Sequence, residues 1–303
     1  MDTTIEPSGV LPIDKPAGIT SHDVVGRVRR LYGTRRVGHT GTLDPMATGV
    51  LVVLVGRAAK AAEYLSGDRK VYRATLLLGI TTDTEDSTGT VLSTSTALPD
   101  AESVKRAAAS FLGKSEQIPP MYSALKVGGQ KLVDLARRGI EIERKPREIT
   151  VYRISCEPID ERSYTLEVDC SAGTYIRTLC ADIGKALGCG GVMASLRRLE
   201  TGGFSLQQAK TTEELEAATP AERLAALIPT ESLFADLPAL PLPAFYERLS
   251  RNGCEIYLKK LRVSPPVGTR LRLCDEKGLF FALGEVREYE DGPAAKAIKF
   301  FDI

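Results

Sequence analysis

One carboxylate, Asp44, sits in the stretch RVGHTGTLDPMATGVLVVLVG (36–56) among Gly38, Thr40, Gly41, Thr42, Ala47, Thr48 and Gly49. An Asp-Pro step opens many turns, and its carboxylate can simply bond its own backbone two residues on. This density of small residues exceeds what a hairpin needs, and it lets a second molecule approach the backbone closely. A lone carboxylate at such an opening can serve as a nucleophile or stabilise charge that develops during a reaction. Two other residues could meet it in space. Tyr72, in KVYRATLLLGI, offers an aromatic face on which a nucleobase removed from its helix or loop can stack, or else it is an ordinary core aromatic. Arg177, in GTYIRTL, would favour the charged form of a nearby carboxylate, or else it is a helix-surface charge.

The elements that must position these groups follow from the pattern. LPIDKPAGITSHDVV leads into a helix running through Tyr32, with Ser21 as its expected cap, and Pro12 marks its strand as an edge or a bulge. Val50 to Val55 reads as a buried strand and KVYRATLLLGI as an alternating one. AESVKRAAASFLG is a helix ending in glycine, and SYTLEVDCSAGTYIRTLCADIGKALG is strand, small-residue turn and helix. The acidic loop TTDTEDSTGT does not fit a calcium site, because its glycine falls one place late and the closing glutamate is missing. The prolines of FADLPALPLPAF break the pattern, and short strands with turn signals follow. The expected class is therefore mixed α+β with a small β-rich unit at the C-terminus.

Composition narrows the function class. The 303 residues suffice for one large domain and a small one. MDTTIEPSGV has neither the basic nor the apolar region of a secretory leader, and no run is long and apolar enough to span a bilayer, so the expected compartment is the cytoplasm and no membrane partner is expected. The six cysteines (156, 170, 180, 189, 254 and 274) form no CxxC pair and read as reduced packing residues, not metal ligands. A net charge of +1 hides two basic clusters, Arg27 to Arg36 and Arg137 to Arg147, each either a solvated face or a phosphate contact.

Taken together, GVLPIDKPAGITSHDVV, RRVGHTGTLDPMATGVLVV, KVYRATLLLG, QIPPMYSALKVGGQKLVDLARRG and CSAGTYIRTLCADIGKALG resemble the bacterial tRNA pseudouridine synthase B family over most of residues 9–205. The tail, GTRLRLCDEKGLFFALGEV, is similar to the PUA RNA-binding domain. The resemblance implies a catalytic domain over 1–238, built on a mixed, largely antiparallel sheet with flanking helices. It implies an RNA-gripping insertion at about 117–150 and a PUA-like domain over 239–303. It also implies conversion of uridine 55 in the tRNA T loop to pseudouridine by base flipping, with no metal and no cofactor. Asp44 would be the catalytic residue, Tyr72 would stack on the target base, and Arg177 would pair with the aspartate. His39 would pack into the remodelled T loop, Lys15 and Tyr175 would support the pocket, and Arg137 and Arg138 would grip phosphates. The expected partner is the tRNA T stem-loop, with the protein a monomer that requires no protein partner. Three rivals remain open at this stage: an RNA-binding protein without catalysis; a glycosidase, for which Asp44 lacks an obvious second carboxylate; and a guide-RNA-dependent synthase, which would favour a larger C-terminal region and protein partners.

Overall fold

A run with no polar face, such as TGVLVVLV, is stable as a strand only when both of its faces are covered. In the computed structural model, which describes residues 6–65 and 69–301, every residue from Gly49 to Val55 is buried. In chain order the elements are β1 (Gly9–Lys15), α1 (Ser21–Tyr32), β2 (Val37–His39), β3 (Thr48–Val55), β4 (Lys70–Leu78), β5 (Ile80–Thr82), β6 (Val91–Thr94) and α2 (Ala101–Ala109). Next come β7 (Gly113–Gln117), β8 (Lys126–Val127), β9 (Gln130–Lys131), α3 (Leu132–Ala136), β10 (Arg147–Pro158), β11 (Ser163–Cys170), α4 (Ile176–Ala186), β12 (Gly191–Thr201) and β13 (Phe204–Ser205). Two short helices, α5 (Thr212–Ala217) and α6 (Pro220–Ala225), precede the C-terminal elements.

The large sheet runs β1-β3-β12-β4-β11-β10-β7, with β2 added to β3 and β13 to β12. Its pairing is antiparallel except where β12 meets β3. That parallel contact is short, Arg197 opposite Thr48 and Arg198 opposite Gly49, and it sets the entrance of β3 against the middle of β12. β1 closes one end of the sheet, so Pro12 stands on an edge strand as expected. Thr20, not Ser21, caps α1: its hydroxyl accepts from Asp23 N, and Asp23 accepts from the Thr20 amide, so a one-residue shift frees Ser21 for another task.

The two faces of β3 serve different cores. Leu51, Val53 and Val55 pack with α1 residues Val24, Val25 and Val28 and with Leu76, Leu179 and Ile183. Val10, Val50, Val52 and Leu54 on the other side join Phe204 and Phe234 and, from the C-terminal strands and the residue that follows them, Leu283 and Phe301. Those strands are β14 (Ala239–Pro241), β15 (Ile256–Tyr257), β16 (Arg270–Cys274), β17 (Phe280–Arg287) and β18 (Ala294–Phe300), with helices α7 (Ala244–Arg251) and α8 (Leu258–Leu261). They form a five-stranded sheet in the order β14-β16-β17-β18-β15, the β-rich, PUA-like unit expected. Between β7 and β10, residues 118–146 fold around a core of their own, Met121, Leu132 and Leu135. Five of the six cysteines are buried and all are free. Among the described residues no helix is long and apolar enough to cross a membrane.

Candidate active site

The turn that carries Asp44 is fixed on every side but one. Ser21, released from capping duty, donates to Leu43 O (3.1 Å) and accepts from Leu43 N (2.9 Å). Lys15, fully buried, donates to Pro16 O, Ile19 O and Pro45 O at 2.9, 2.8 and 3.2 Å, and Gly18 N adds a bond to Pro45 O at 2.8 Å. Arg198 donates to Gly41 O (3.1 Å) and Val50 O (2.7 Å). Gly49, at φ +102°, could not be replaced here, since an added Cβ would lie 2.1 Å from Arg198 O. With its backbone so held, the Asp44 side chain faces Arg177, whose Nη2 lies 2.5 Å from Oδ2.

Arg177 is buried near the start of α4 and also faces a second carboxylate, Asp86, with Nη1 3.7 Å from Oδ2. The acidic loop thus has a use that the sequence did not disclose. Asp86 Oδ1 accepts from Thr84 Oγ1, Thr88 N and Thr88 Oγ1, which leaves Oδ2 for Arg177. Asp83 is likewise taken up by Thr90 N. The expectation that Asp44 has no carboxylate near it therefore fails, because Asp86 shares its arginine. The expected effect of Arg177 is also outweighed. Burial pushes the Asp44 carboxyl above its ordinary range, Arg177 pulls it back, and Asp86 pushes it up again.

Asp44, Tyr72, Tyr175 and Arg177 line one cavity of about 450 Å³, whose outer wall is the 118–146 segment through Tyr122, Ser123 and Leu125. Tyr72 stands near the start of β4, buried and directly opposite Arg198 on β12, and burial raises its phenol. Tyr175 is the residue before α4, and Gln117 at the end of β7 clamps its backbone, accepting from Tyr175 N at 2.8 Å and donating to Tyr175 O at 3.0 Å.

His39 and Lys15 do not line the cavity. His39 ends β2 half-buried, its Nδ1 accepting from Gly41 N at 3.3 Å, and burial lowers its pKa. Lys15 lies beneath the turn, where burial brings its pKa down to about 8 against the pull of Asp44. Arg137 and Arg138, just past α3, are exposed. Arg144 belongs to their cluster in sequence but turns inward to Pro119 O and Glu141. In the earlier basic cluster, Arg27, Arg29 and Arg36 are engaged by Glu213, Val37 O and Glu6, which leaves Arg30 and Arg35 facing solvent. Sequence reasoning missed Asp86, Arg198, Ser21 and Gln117. The Thr-x-Asp-x-Thr spacing of 84–88, which satisfies one carboxylate oxygen locally, was a usable signal for Asp86 alone.

The chain is similar to known proteins over most of its length. Residues 29–176 match the TruB family pseudouridylate synthase N-terminal domain, and residues 177–235 match the tRNA pseudouridylate synthase B C-terminal domain. The tRNA pseudouridine synthase B of Geobacter sulfurreducens is 46% identical over 271 residues, 88% of this chain and 89% of that protein. That of Clostridium novyi is 42% identical over 91% of this chain and 95% of its own. A solved Cbf5-Nop10-Gar1 complex contains a chain that superimposes with a TM-score of 0.72 at 25% identity, covering 97% of this chain and 85% of that one. The two matched domain models and the near full-length relatives place the chain in the TruB family of pseudouridylate synthases, isomerases that act on RNA.

Proposed function

We propose that the chain converts uridine 55 in the T loop of tRNA to pseudouridine, with Asp44 as the catalytic residue. The observation that carries this reading is the Asp44–Arg177 contact at the floor of a cavity large enough for one nucleoside and walled by Tyr72. The isomerisation breaks the C1′–N1 bond, turns the uracil, and forms a C1′–C5 bond, while the C5 proton leaves and N1 takes one up. A carboxylate that can lose its proton, with its side chain one-third exposed in the open cavity, can form a bond to the substrate or assist elimination at the sugar. Arg177 orients the carboxylate and disperses its charge. The Tyr72 ring supplies a stacking surface for the uracil once it leaves the loop. His39 packs into the remodelled T loop, Lys15 and Tyr175 support the pocket, and Arg137 and Arg138 contact backbone phosphates. The substrate partner is the T stem-loop, and the protein acts alone as a monomer in the cytoplasm.

Tritium release from tRNA labelled at uridine C5 tests this, alongside carbodiimide primer extension to locate the product. Wild type should release label and give one stop at position 55. Asp44→Asn should bind tRNA about as well and release none. Substantial release by a carefully purified Asp44→Asn protein, or a product elsewhere in the tRNA, would refute the reading.

A further inference from the structure

The largest fully buried side chain among the described residues is Arg198, 1% exposed. A guanidinium keeps its charge in a protein, and burying one without a counter-ion is costly. Its neighbours Arg177 and Arg197 each hold a carboxylate, whereas among the described residues Arg198 takes part in no ion pair. Its donors go to carbonyls: Nε to Val50 O at 2.7 Å, Nη2 to Gly41 O at 3.1 Å and, at the limit of bonding distance, Nη1 to Thr42 O at 3.5 Å. These carbonyls lie in the turn that carries Asp44 and in the strand that leaves it. A core position with no other duty would be served as well by an apolar side chain of similar volume.

The register shows the second duty. Arg198 is paired with Gly49 on β3 and with Tyr72 on β4, so it stands between the turn and the tyrosine. Residues directly opposite on neighbouring strands project from the same face, so the Arg198 side chain and the Tyr72 ring share one face of the sheet beside the turn. A guanidinium can only donate, so the phenolic oxygen is the group that would accept from it, which leaves the tyrosine's own proton directed away from Arg198. Tyr72 lines the cavity.

We propose that Arg198 is a positioning residue for the isomerisation: one buried guanidinium that locks the Asp44 turn to β3 and β12 and orients the Tyr72 hydroxyl as a donor toward the bound base. This rests on the reading that Asp44 and Tyr72 act in this cavity. Two other titratable groups around the turn are committed elsewhere, Lys15 to three carbonyls and His39 to Gly41 N, while Lys70 stands on the cavity side of Gly41.

The test measures single-turnover pseudouridine formation and tRNA affinity for Arg198→Met and Arg198→Lys in full-length protein, each also combined with Tyr72→Phe. The expected result is a rate loss of about 100-fold for Met with tRNA affinity within about threefold, and partial recovery for Lys, which keeps the charge and some donors. In the Tyr72→Phe background the Met substitution should cost less, because half of what it removes is already gone. Rates within about threefold of wild type, a loss confined to affinity, or an equal cost in both backgrounds would each overturn the assignment. Failure of both variants to give a cooperative melt would overturn it too, because Arg198 would then serve the fold alone. Asp44→Asn, run in parallel, separates the two levels: turnover by that variant refutes the underlying reading, and its inactivity leaves the Arg198 result to stand by itself.

Discussion

Replacing Arg177 with lysine keeps the charge and removes the fork, and the structure sets the size of the effect. One guanidinium reaches Asp44 through Nη2 at 2.5 Å and Asp86 through Nη1 at 3.7 Å. An ammonium is a single centre and must favour one carboxylate. At an effective dielectric constant of about 20, a pair of charges about 4 Å apart is worth about 4 kcal/mol, and doubling the separation halves it. A loss of about 2 kcal/mol, if felt in the transition state, is roughly 30-fold in rate. The substitution has a second signature. Arg177 is the strongest influence holding the Asp44 carboxyl down against burial, so weakening that pairing moves the carboxyl further up. With Asp44 acting in its ionised form, as proposed, the acid limb of the pH–rate profile should shift to higher pH. Single-turnover tritium release across the acid to neutral range, with tRNA affinity measured separately, reads both effects. A rate within about threefold of wild type together with an unmoved acid limb would show that Arg177 does not govern Asp44.

Neutralising Arg137 and Arg138 together should weaken tRNA binding and flatten the plot of log affinity against log salt by about one unit for each phosphate that is no longer neutralised, and an unchanged slope would count against a phosphate role. A chain ending at Ala239 should still modify the T-loop uridine but bind tRNA more weakly and melt well below the full chain. Leu283 and Phe301 no longer cover Val10, Val52 and Leu54, and each side chain uncovered costs about 1.5–3 kcal/mol; an unchanged melting temperature, or a folded but inactive product, would refute this. Lys15→Met should lose ground to wild type as pH rises from 8 toward 10. The unfolded chain holds the Lys15 proton up to the ordinary lysine range while the native state releases it at about 8, so wild type gains stability with pH over that window, by roughly 3 kcal/mol at most. Denaturant melts of both proteins across that range would show the divergence, and parallel curves would mean that Lys15 titrates normally.

The parts of the fold that were legible in the sequence are those with local signals. The two-sided apolar run gave β3, the alternation of KVYRATLLL gave β4, and the proline-rich break announced the C-terminal strands. Asp44, Tyr72 and Arg177 were legible by type and by family motif, and the fold brings all three to one cavity. What lay hidden depended on register. Asp86 looked like one acid among several until the loop's threonines used up one of its oxygens and turned the other to Arg177. Arg198 and its neighbour Arg197 are indistinguishable in sequence, yet strand alternation buries one beneath the turn and sends the other to Asp14. Thr20 and Ser21 are both good caps by type, and only the tertiary contact of Ser21 with Leu43 decides between them.

The placement of charge has a consequence for how the enzyme meets ionic strength. Asp86, Arg177, Arg198 and Lys15 are all shut away from solvent, while Arg137 and Arg138 stand in it. If the outer arginines grip RNA phosphates as proposed, mobile ions compete with the RNA there, but they cannot enter the packed layer under the Asp44 turn, where screening is weak. On that reading salt acts as a dial on capture and release, and leaves the field beneath the Asp44 turn almost as it was.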